Sequence, residues 1–104
     1  MMQIIKCLSE KIEEELEDAE AYIDLAMKWK QEEPETAELF YTLSTEEMGH
    51  MEKLHKEAEE VIADYKAKHG EPPQSIMILY EYLHGKHIGK ATQIRVKQGM
   101  FKSE

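Results

Sequence analysis

A chain of 104 residues makes one domain at most, and helices alone would bury only a modest core in it unless copies associate. The formal charge of −9 is uneven: residues 1–69 carry 19 acids against 8 bases, whereas residues 70–104 carry 3 against 5. This balance argues against a nucleic-acid binder, which needs lysine and arginine to displace counterions from phosphates, and favours a surface that gathers cations.

The start, Met1-Met2-Gln3-Ile4-Ile5-Lys6, has too short an apolar run for a secretory signal, and no stretch approaches membrane-spanning length. The expectation is a soluble, cytoplasmic protein with neither nucleic acid nor membrane as partner. The single cysteine, Cys7, has no intrachain partner for a disulfide and reads as a buried small apolar group.

From Met2 to Glu32 there is no proline or glycine, and Glu, Lys, Leu and Ala dominate, which predicts a first helix. Its expected seam is Ile5, Leu8, Ile12, Glu15, Ala19, Tyr22, Ala26 and Trp29, a heptad-like series in which Glu15 is the one charged member. The other glutamates, such as Glu13, Glu14 and Glu17, fall off that stripe and read as solvent-facing.

Gln31 to Thr36 ends the first helix and begins a second, with Pro34 at a first helical position. The second helix is expected from Pro34 to Lys68, stopped by Gly70 and then Pro72 and Pro73. So short a connection makes the pair an antiparallel hairpin. Its seam reads Phe40, Leu43, Glu47, His50, Leu54 and Val61, which places a carboxylate and an imidazole among core positions. Trp29 and Phe40 are expected to close the core beside the turn. Gly49, next to His50, reads either as room for a close neighbour or as simple tolerance.

The composition changes after Pro73. Ser75 is a plausible cap for a third helix near Ile76, and Gly85 and Gly89 weaken its middle. Ile94 alternating with Val96 hints at an extended end, so helix is expected only to about Lys97. The resulting division is a hairpin, residues 1–70, and a C-terminal helix or arm, residues 71–104.

Glu47 and His50 are three apart, so they project from one helix face and suit a shared metal ion. Glu15 lies 19 residues before Pro34, and Glu47 and His50 lie 13 and 16 after it, so a hairpin brings all three near one level. Half of a carboxylate-bridged two-metal centre is then present, with a second copy as the source of the other half. Glu52/His55 and Glu81/His84 repeat the spacing. The first reads as a surface pair on the flank. The second would complete or replace part of the site if the third helix joined the bundle, although His84 and His87 more often serve as ordinary helix or capping residues.

Glu15 to Tyr22, with Ala26 beyond, and Glu46-Glu47-Met48-Gly49-His50 resemble the ferritin-like di-iron carboxylate proteins, bacterioferritin and rubrerythrin among them, over residues 12–62. The resemblance implies Glu15 as terminal ligand, Glu47 as bridging carboxylate, His50 as nitrogen ligand and Tyr22 as a hydrogen-bonding neighbour. It implies iron, with manganese or zinc as substitutes, and oxidation of Fe(II) by oxygen or peroxide. No second long hairpin follows in this chain, so the expected all-α fold is a ferritin-like four-helix bundle built by homodimerisation, as in half-length encapsulated ferritins, or by a higher oligomer. Two alternatives stand beside it: a metal-free acidic helical scaffold whose buried Glu and His only set hairpin register, and a structural metal site that locks a dimer.

Overall fold

A computed structural model describes residues 1–103, and in it the chain is three helices joined by two short turns: α1 (Met2–Trp29), α2 (Pro34–His69) and α3 (Gln74–Ser103). Glu104, the last residue of the expected arm, lies outside the described residues. The molecule is a rod 56 Å long and 19 by 17 Å across. α1 and α2 form the antiparallel hairpin, and α3 runs back along it, lying chiefly on α1. No helix among the described residues is long and apolar enough to cross a membrane.

The turns follow from local chemistry. Glu33 precedes Pro34, which opens α2 at a position where a missing N–H is harmless, and Glu35 sits in the first turn where the helix dipole favours acid. At the other end Gly70 takes φ 81°, a left-handed value that side chains resist, and donates its N–H to the Lys66 carbonyl. Pro72 and Pro73 then keep α2 from continuing.

The core forms two clusters. The larger gathers Leu16, Ile23 and Ala26 of α1, Ala37, Met48 and Met51 of α2, and Ala91, Ile94 and Phe101 of α3, with Trp29 and Phe40 packed against its edge as expected. The smaller joins Ile5 and Leu8 to Ala58 and Ile62 at the far end. Ser44 ties the three helices together: its hydroxyl donates to the Ala19 carbonyl at 2.7 Å and accepts from the Gln98 amide at 2.9 Å. The bases of α3 zip it to the acidic hairpin through Lys90–Glu20, Lys97–Asp24, Arg95–Glu52 and Lys102–Glu38.

Four expectations need correction. The deepest stripe of α1 runs through Leu16 and Ile23, one position beyond Glu15 and Tyr22, and that of α2 through Ser44, Met48, Met51, Ala58 and Ile62. Because α3 packs on one side of the hairpin, it turns the buried line of each helix toward itself. Residues Glu15, Tyr22, Leu43, Glu47, Leu54 and Val61 are left half-buried along the opposite groove, with His50 exposed at its rim. Secondly, α3 begins at Gln74 and stays helical to Ser103, through both glycines and past Lys97. Packing of Ala91, Ile94 and Phe101 outweighs the helix cost of about 1 kcal/mol per glycine. Thirdly, Ser75 lies inside α3, not before it. Finally, Cys7 is exposed, because Ile5 and Leu8 take the inward positions of that turn.

Candidate metal centre

Each member of the site is held by a buried neighbour in sequence. Leu16 and Ile12 point into the core and leave Glu15 on the shoulder of α1, and Met48 and Met51 do the same for Glu47 and His50 on α2. The antiparallel register sets those shoulders side by side. One ligand atom from each of Glu15, Glu47 and His50 lies within 4.8 Å of the others, and among the described residues no other group of three or more His, Cys, Asp or Glu residues meets this condition. His50 Nδ1 is 3.3 Å from Glu15 Oε2 and 3.8 Å from Glu47 Oε2.

The three differ in their access to water. The side chains of Glu15 and Glu47 are 25% and 19% exposed, while His50 is 55% exposed. The trio therefore sits in a groove and not, within one chain, in the interior. Crowding shows in the electrostatics. Hydrogen bonding of the protonated Glu47 carboxyl to Glu15, then burial, then the negative charge of Glu15 push the Glu47 carboxyl up to about 7, with His50 pulling the other way and Asp18 adding to the rise. The Glu47 carboxyl is thus part-protonated near neutral pH.

Tyr22 lies in the same groove, its ring stacked on Phe40 at a centroid distance of 6.2 Å. Among the described residues its hydroxyl makes no hydrogen bond to Glu15, Glu47 or His50.

No protein-family model, curated protein or solved structure matches this chain. The site must be read from its own chemistry. Two hard carboxylates and one imidazole fit a divalent first-row ion such as Fe(II), Mn(II) or Zn(II). A positive ion would also replace the proton that Glu47 takes up beside Glu15.

The other Glu-x-x-His pairs do not join this centre. Glu52 pairs with Arg95, and His55 instead meets Glu59 at 3.1 Å, so the expected Glu52/His55 surface pair does not form. His55 is half-buried against α3, stacked on His84 with ring centroids 4.4 Å apart. Glu81 is exposed. His87, read as an ordinary helix or capping residue, is 7% exposed, and its Nε2 has no hydrogen-bond partner. Burial holds the His84 and His87 imidazoles below the usual range. The available signal was the pairing of His84 and His87 three apart, on one face of α3.

Proposed function

We propose that two copies of this chain pair across the open groove of the hairpin, facing two Glu15/Glu47/His50 sets toward each other around a pair of iron ions. The fold would then be a four-helix bundle of ferritin-like type, each copy contributing α1 and α2. The observation that carries this reading is the convergence of the three donors within 4.8 Å, with Glu47 holding a proton near neutral pH. The groove itself adds support: Tyr22, Phe40, Leu43, Leu54 and Val61 line it half-buried, an apolar surround that another hairpin would cover.

The function that follows is oxidation of Fe(II), each ion giving up one electron to oxygen or peroxide. The acids of residues 1–69 raise the local concentration of Fe(II). Glu47, on losing its proton, and Glu15 would hold the ions through carboxylate oxygens and balance their charge, and His50 would offer a nitrogen that tolerates both oxidation states. Bound iron supplies the one-electron chemistry and open positions for the oxidant. Tyr22 and Phe40, stacked on each other, would flank the centre, and the Tyr22 hydroxyl would be free to hydrogen-bond within the paired site. The compartment this reading implies is the cytoplasm, where Fe(II) persists.

Metal analysis of purified protein tests the site. About one iron per chain is expected, lost in both Glu47→Ala and His50→Ala. Stopped-flow mixing with Fe(II) and oxygen tests the reaction, which should be fast in the natural chain and fall to the buffer rate in those variants. Metal-free dimers of unchanged stability would favour an acidic scaffold. Bound metal without turnover would favour a structural lock.

A further inference from the structure

The side of the hairpin that α3 covers carries a second group of donors, independent of Glu15, Glu47 and His50. A cleft of about 290 Å³ opens there, lined by His55, His84 and His87 with Met51, Ile88 and Ala91 among its walls. The histidines come from two helices: His55 from α2, and His84 and His87 from one face of α3.

Each ring is arranged in a way that leaves nitrogen available. Glu59 Oε1 lies 3.1 Å from His55 Nε2, an electrostatic contact that does not involve Nδ1. His84 is held parallel to His55 at 4.4 Å and to Tyr80 at 5.7 Å, contacts that occupy its faces and not its nitrogens. His87 is more than nine-tenths buried, yet its Nε2 meets no donor or acceptor. A histidine kept only for packing usually satisfies both nitrogens, because a buried polar atom without a partner is costly. Phenylalanine or leucine would fill such a position without that cost.

We infer that His55, His84 and His87 form a second metal site, one that takes a nitrogen-preferring late first-row ion, Zn(II), Ni(II) or Cu(II), and clamps α3 to α2. Glu52 also lines the cleft but is paired with Arg95, and three imidazoles favour these ions over Fe(II) and Mn(II), which the carboxylate site suits better. The ring nitrogens of the three do not all lie within 4.8 Å of one another in this structure. Binding therefore includes rotation of the rings, and His84 unstacks from His55 as the ion enters.

The test uses the full chain carrying Glu47→Gln and His50→Gln, which blinds the first site, so the outcome does not depend on the iron reading. Titration with Zn(II) at neutral pH should show about one ion per chain and a rise in Tm. Ring 15N signals of His55, His84 and His87 should shift together. Adding His84→Gln should weaken Zn(II) binding by about 10-fold or more, and His55→Gln, at the half-buried edge of the cleft, gives the same reading if a His84 variant folds poorly. Absence of Zn(II) binding in the blinded chain, or binding unchanged by both histidine substitutions, overturns the inference and leaves these residues as core packing.

Discussion

One hairpin presents two grooves, and they are finished differently. The groove under α3 is closed by apolar packing from Ala91, Ile94 and Phe101, by the Ser44 relay and by ion pairs that α3 brings along its flanks. The opposite groove has similar apolar margins but an acidic centre, where Glu15 crowds Glu47 beside His50 and pushes the Glu47 carboxyl up to about 7. Among the described residues, the one fully buried side-chain polar atom without a hydrogen-bond partner is His87 Nε2, on the covered side. The open side leaves carboxylates crowded and half-exposed. Stability is built on the covered side, and unrelieved charge is left on the other.

The largest contrast should come from truncating one residue on each side. Ile94→Ala, at a fully buried position of α3, is expected to cost about 2–5 kcal/mol in chemical denaturation. Tyr22→Ala in metal-free protein should cost distinctly less, since its ring is only half-buried. Equal losses would mean that the open groove is already covered in solution, as dimerisation without metal would produce.

Ser44→Ala probes the link between the two sides. It removes the donor to Ala19 and strands the Gln98 amide, for an expected loss of about 1–3 kcal/mol. Ser44→Ala combined with Gln98→Leu should recover part of that loss. Additive costs for the two would show that the relay does not couple the helices.

A smaller effect distinguishes the open groove by pH. The Glu47 carboxyl rises from 4.5 to about 7 on folding, so the native state binds the extra proton. Its contribution to metal-free stability is fully present below about pH 4.5 and is lost as pH rises through about 7. His84 and His87, held below the usual imidazole range, act with the opposite sign: they favour the native state above about pH 6.5 and weaken it as pH falls. The Glu47 effect is therefore read as the difference between natural chain and Glu47→Gln across that window. Parallel curves for the two would show that folding does not raise the Glu47 carboxyl. Fe(II) or Mn(II) should reverse the slope, stabilising most where Glu47 has lost its proton.

The smallest expected change is Tyr22→Phe, under about 0.5 kcal/mol in metal-free protein, because the hydroxyl has no partner among the described residues of one chain and the stack on Phe40 is kept. A larger loss on the metal-loaded protein alone would place that hydroxyl at the paired centre.

The amino-acid sequence by itself determined the helices of the hairpin and its turns. A run without glycine or proline, Pro34 at a helix start and Gly70 before two prolines are local signals, decided within a few residues by backbone sterics. It also determined that Glu15, Glu47 and His50 would meet, since an antiparallel pair of regular helices around a short turn leaves little freedom in level. What only the tertiary structure decided is which line of each helix lies deepest. The buried line passes through Leu16 and Ile23 because α3 covers that side, and a third helix interrupted by Gly85 and Gly89 could be kept to Ser103 only by the packing of residues far from it in sequence. The burial of His87 and the stacking of His55 on His84 belong to the same class: each depends on where α3 docks, which is settled by the summed contacts of three helices and by no single stretch of the chain.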